Sequence, residues 1–154
     1  MTILNVPSGA GYSKRSLVEK LGIKAGQRIA ILQSPPDYAA TFGSLPDQVV
    51  WSDELGEALV FIHFFTTSRQ ELVEQFPRLK AALVHNGMLW ISWPKRTVKT
   101  TTVKNVAVKV PTDLDENSVR EIGLNNGLVD VKVVAIDSVW SGLKFVYRLQ
   151  DRAK

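Results

Sequence analysis

No cysteine occurs in the 154 residues, which excludes disulfides, thiolate metal sites and a cysteine nucleophile and makes a reducing cytoplasm the simplest compartment. Histidine is scarce: His63 and His85 are the only two, and neither has a partner at a metal-ligand spacing, so no metal site is expected. Long apolar runs are missing as well. The longest, Ala58 to Phe65, is interrupted by His63 and falls well short of the roughly 20 residues that span a bilayer. Met1 to Gly11 lacks a basic region followed by an apolar core and is expected to be a loose leader. A soluble chain with no membrane partner is the expectation. Glycine is absent where it would say most: there is no P-loop and no Gly-x-Gly-x-x-Gly.

What is present suits one compact domain over residues 1–154, with 45% hydrophobic residues and enough length to bury roughly two-thirds of the unfolded surface. The organising stretch is Gly87 to Lys95, where Met88 to Trp93 are almost all large and apolar and Pro94 ends the run. Such a segment reads as a central strand covered on both faces, entered from an Asn86-Gly87 turn. The net charge of +4 is local. Lys95, Arg96, Lys99, Lys104 and Lys109 stand with no acid between them, and without these five the chain has 14 basic and 15 acidic residues. This basic insertion or flap over 96–110 reads either as a solvated loop or as a contact for phosphates or an acidic partner.

Along the chain, Ser13 is a cap for a short helix with Leu17, Val18 and Leu21 on its apolar stripe and Gly22 as its stop. Arg28 to Leu32 is a first strand. Gln33-Ser34-Pro35-Pro36-Asp37-Tyr38 then reads as a helix start, with Ser34 the cap, Pro35 the first helical residue and Gly43 the stop. Val49 to Trp51 is a short second strand followed by Asp53 and Glu54, and Ala58 to Phe65 is a third. Ser68 and Glu71 form a capping box for a helix from about Arg69 to Val84, kinked at Pro77. His63 reads as a satisfied core or rim histidine. Asp113 with Glu116 caps a further helix that Gly127 ends. Val129 to Ile136 and Leu143 to Leu149 form an antiparallel hairpin joined through Asp137 to Gly142.

This order gives an α/β fold, a doubly wound, mostly parallel sheet of about six strands ending in an antiparallel hairpin. From Arg28 to Leu149 it resembles the second half of the Rossmann-like methyltransferase fold, in which a last antiparallel strand inserts beside the fifth. Leu21 to Gly26, Trp93-Pro94-Lys95, Thr112 to Val131 and Trp140 to Phe145 further resemble a short bacterial family, a domain of unknown function with no activity to carry over, relative to which Arg96 to Lys109 looks expanded.

If the last strand lies beside the central one, Trp140-Ser141-Gly142 shares a rim with Trp93-Pro94-Lys95, and Ser34, Asp37, Thr66 and Thr67 face the same crevice. Two readings stand: the tryptophans are core caps and Lys95 is solvated, or Trp93, Lys95, Trp140 and Ser141 wall a site for a small acidic or planar ligand. The leading functional expectation is a non-catalytic ligand- or protein-binding domain that needs no cofactor, because Ser34-Pro35-Pro36 stands where glycines are expected. The alternative is an S-adenosylmethionine-dependent methyltransferase with an atypical loop, Asp53 or Glu54 holding ribose and Lys95 orienting the acceptor. A third is nucleic-acid binding through Lys95 to Lys109.

Overall fold

The computed structural model describes residues 16–36, 38, 44–95 and 110–152. The leader, Ser13, Asp37, Gly43 and the basic insertion over 96–109 lie outside the described residues. Helix α1 (Leu17–Leu21) is capped by Ser16, whose side chain exchanges a capping box with Glu19, and Gly22 closes it at φ 89°. Strand β1 (Arg28–Leu32) follows, then β2 (Val50–Ser52), β3 (Leu59–Phe65), α2 (Arg69–Ala82), β4 (Leu83–Pro94), α3 (Glu116–Asn125), β5 (Leu128–Ala135), β6 (Trp140–Tyr147) and the short α4 (Leu149–Arg152). The strands form one sheet in the order β2-β1-β3-β4-β6-β5. The first four are parallel, and β6 runs antiparallel to both of its neighbours. The last strand therefore inserts between β4 and β5, as the methyltransferase resemblance implies.

The continuous apolar strands are covered on both faces. One face carries Ile62, Phe64, Leu89, Ile91, Trp93, Leu143 and Phe145 against α2 and α3. The other carries Ile29, Ile31, Phe61, Phe65 and Trp90 against α1 and Tyr38. The Trp90 indole N–H donates to the Leu21 carbonyl at 2.9 Å, so the largest core side chain is satisfied and ties α1 to β4.

Several boundaries differ from the sequence reading for identifiable reasons. Asn86-Gly87 is not a turn: β4 already pairs with β3 at Leu83, and the register shifts between Leu59 and Phe61, so Asn86-Gly87 lies in an irregular, bulged part of one long strand. Gly87 is needed there because a Cβ would stand 2.9 Å from Leu83 Cδ1 and 3.1 Å from the Val60 and Val84 carbonyl oxygens. Helix α2 continues through Pro77 and stops at Ala82, with Leu72, Phe76 and Leu79 buried. The N-cap of α3 is Asp115, paired with Ser118, rather than Asp113. Asp113 instead accepts from the Arg69 backbone N–H at 2.8 Å and so serves the positive end of α2. The hairpin turn ends at Val139: Asp137 Oδ1 accepts from the Val139 and Trp140 N–H groups, each at 2.8 Å. Trp140-Ser141-Gly142 is thus the start of β6, opposite Pro94, Trp93 and Ser92.

The link from β2 to β3 positions the site. A crossover between parallel strands normally takes about a dozen residues or more, most of them helical. Here only Asp53 to Ala58 makes the passage, with Leu55 packing on the α2-side core and Ala58 at φ 55°. That face of β1 is crossed by a short segment without a helix, which leaves a crevice beside α2.

Candidate functional site

The parallel strands β1, β2 and β3 end on one rim, where open α/β sheets bind ligands at the point at which the chain reverses its direction of winding. A crevice of about 500 Å³ opens there, lined by Leu32, Gln33, Asp53, Glu54, Leu55, Phe64, Glu71, Gln75, Arg78 and Leu79. Leu32, Leu55, Phe64 and Leu79 give it an apolar part, and three carboxylates and one guanidinium give it a mostly polar surface. On the opposite face of the β1–β2 rim lies a shallower concavity of about 490 Å³ lined by Ile31, Ser34, Trp51, Ser52 and Asp53. Asp53 borders both. The Ser52 hydroxyl accepts from the Glu54 N–H at 3.0 Å and donates to the Glu54 carbonyl at 3.1 Å, fixing the turn that presents Asp53.

Gln33, the residue directly after β1, holds φ 59°, the left-handed conformation for which glycine is the usual residue. Its side-chain amide crosses from β1 to β3, donating to the Phe65 carbonyl at 2.7 Å and to Glu71 Oε1 at 3.2 Å. Glu71 also accepts from the Thr66 hydroxyl, and Thr66 Oγ1 accepts from the Ser68 N–H at 3.1 Å. Gln33, Thr66 and Glu71 therefore form one polar bridge over the boundary between β1 and β3. The post-β1 loop is anchored a second time. Tyr38, whose N–H donates to the Pro35 carbonyl, places its hydroxyl 2.7 Å from His63 Nδ1, and His63 Nε2 lies 2.7 Å from the Ser92 hydroxyl. His63 is fully buried and stacks on Phe65 with ring centroids 4.1 Å apart. Burial lowers its pKa to about 3 and raises that of Tyr38. A neutral, enclosed imidazole with both nitrogens occupied orders the loop and has no access to a substrate proton, in keeping with the core-histidine reading.

The other sequence candidates separate. Ser34 is exposed and borders the shallow concavity. Thr66 is buried within the polar bridge, whereas Thr67 is exposed and its carbonyl accepts from the Thr112 hydroxyl at 2.8 Å. Trp93 and Trp140 are neighbours on the rim but do not wall one pocket. Trp93 pairs with Ser141 and Trp140 with Pro94, so the rings project to opposite faces of the pleat, Trp93 into the α2-side core and Trp140 against Phe65 on the other side. Lys95 is drawn to the hairpin turn, its backbone N–H donating to the Val139 carbonyl at 2.8 Å and its ammonium to the Asp137 carbonyl at 3.1 Å. Asp37, Arg96, Lys99, Lys104 and Lys109 lie outside the described residues. Sequence reading missed Gln33 and Glu71; a polar side chain immediately following an apolar strand was the available signal. No group of three or more His, Asp or Glu able to hold a metal occurs among the described residues, and no described helix is long and apolar enough to cross a membrane.

No protein-family model and no curated protein sequence matches the chain. Solved structures do. The chain is similar to a SAM dependent methyltransferase from Aquifex aeolicus, with 15% identity over 84% of this chain and 86% of that one and a TM-score of 0.55. It is similar to DhpI in a complex with SAH, at 11% identity, 86% and 83% coverage and a TM-score of 0.55. It also matches Aeropyrum pernix fibrillarin with natively bound S-adenosyl-L-methionine, at 12% identity, 82% and 69% coverage and a TM-score of 0.50. At these identities the likeness is one of fold, and the fold of this chain is methyltransferase-like: a six-stranded α/β sheet, parallel through four strands and closed by an antiparallel pair.

Proposed function

We propose that the chain binds S-adenosylmethionine or its demethylated product in the crevice at the ends of β1, β2 and β3, on a methyltransferase-type scaffold. The observation that carries this reading is the placement of Asp53 and Glu54 at the end of β2, in one crevice with the apolar side chains of Leu32, Leu55 and Phe64. Carboxylates there suit the two ribose hydroxyls, the apolar side chains suit a planar base, and a crevice with three acids suits a ligand bearing a sulfonium and an ammonium group. The left-handed backbone of Gln33 supports the same reading, since the loop keeps the conformation that a glycine would supply. When bound, S-adenosylmethionine supplies an electrophilic methyl group; the residues of this chain would bind and orient it. This replaces the cofactor-free expectation.

A second reading, a binding domain without methyl transfer, is favoured by one observation: the Gln33 amide occupies the β1–β3 boundary and Pro35 and Pro36 remove two backbone donors from the loop. Calorimetric titration of S-adenosylhomocysteine into the full chain tests the proposal. Saturable heat is expected, with affinity about tenfold lower in Asp53→Asn, the loss of one charge-assisted hydrogen bond. Gln33→Gly, which clears the boundary and keeps the backbone conformation accessible, is expected to bind at least as tightly as the parent. No heat from either the parent or Gln33→Gly would overturn the proposal and leave the binding-domain reading.

A further inference from the structure

The end of the sheet opposite the crevice carries a concavity that the proposed function does not use. It holds about 290 Å³, and Met88, Val131 and Val146 give it apolar walls, while Lys144, Arg152 and Asn86 supply its polar groups. No acidic residue lines it. Lys144 stands directly opposite Lys132 in the β5–β6 register, a like-charge cross-strand pair of a kind that destabilises a sheet. The ammonium of Lys144 is pushed below its ordinary range first by burial and then by Lys132, Lys24 and Arg152. Arg152 Nε donates to the Tyr147 carbonyl at 2.8 Å, which holds its guanidinium at the end of β6. A concavity with an apolar wall, two lining cations, a third cation across the strand pair from one of them and no carboxylate is complementary to an anion that also has an apolar part. Its volume suits one phosphate group on a small organic body better than a polymer.

We propose that this concavity binds a phosphate-bearing small molecule, its phosphate held by Lys144, Lys132 and Arg152 and its apolar part resting on Met88, Val131 and Val146. The chain has two methionines, so labelling their methyl groups gives two signals, one of them Met88 in the wall of the site. Phenyl phosphate titrated into the full chain at constant ionic strength should shift the Met88 signal saturably, at least about tenfold more tightly than inorganic phosphate, with benzyl alcohol inert. The double variant Lys144→Gln, Arg152→Gln should weaken that binding by about tenfold or more. Lys144→Gln relieves like-charge repulsion while Arg152→Gln gives up the bond from Arg152 Nε to the Tyr147 carbonyl, so the double variant should melt close to the parent; Lys132→Gln gives the same test through a second group. Asp53→Asn, at the other end of the sheet, should leave phenyl phosphate binding unchanged. Absence of a saturable Met88 shift, or a shift undiminished in the variants, overturns the proposal. So does a Met88 shift produced by a single-stranded RNA oligomer and not by phenyl phosphate, which would assign the face to nucleic acid.

Discussion

His63 lies between Tyr38 and Ser92 with both ring nitrogens engaged and no exposed surface. Protonating it would put a charge in an apolar core with no carboxylate against the ring, its two partners being hydroxyls. The unfolded chain carries an ordinary histidine near 6.5, whereas the folded one holds its pKa at about 3. The unfolded state therefore binds more protons between these values, and this histidine's contribution to stability is complete above about pH 7 and lost as pH falls from 6.5 toward 3. Unfolding free energy by urea should decline by up to about 1.4 kcal/mol per pH unit across that range, beyond what carboxylates contribute. His63→Gln should lose most of this slope while being less stable at pH 7; equal slopes in the two proteins would show that His63 is not held neutral. The residue type and its apolar neighbours make a core histidine readable in sequence. Its partners are not, because Tyr38 and Ser92 stand 25 and 29 residues away.

At the scale of elements, α3 sits on the sheet through a small residue. A Cβ on Gly123 would lie 2.0 Å from Phe145 Cε1, so α3 and β6 approach as closely as a glycine allows. Arg120 adds a lateral tie, its Nε donating to Asp130 on β5 at 2.9 Å. Gly123→Ala improves helix propensity by about 1 kcal/mol yet forces an overpacked contact costing about 1–3 kcal/mol or more, so net destabilisation is expected. Phe145→Leu should partly restore the alanine variant in a double-mutant cycle on thermal melting; strict additivity would mean the two do not touch. Helices and strands were legible as elements because their apolar spacing is strong. Their ends were not. Leu83 to Asn86 joined β4 because Leu83 finds Leu59 across the sheet, and Trp140 to Gly142 became strand because Trp93 and Pro94 offered a free ladder.

Across the whole molecule, β3 and β4 each have strands on both sides and core on both faces, whereas β2 is a three-residue edge strand with Val50 57% exposed and Trp51 37% exposed. Native-state hydrogen exchange should therefore be slowest at Phe61 to Phe64 and Leu89 to Ser92 and much faster in β2. Comparable protection in β2 would mean that its edge is covered in solution. The sequence by itself determined the α/β class, the parallel core strands and the antiparallel close, because apolar runs, caps and a short hairpin link are local signals. Only the tertiary structure decided the site. Gln33 meets Glu71 across 38 residues, Trp93 and Trp140 part to opposite faces through the pleat, and Lys132 meets Lys144 through a register that a bulge between Asp130 and Lys132 sets. These pairings depend on which strands lie side by side, and that is fixed by burial summed over the whole sheet rather than by any single stretch of chain.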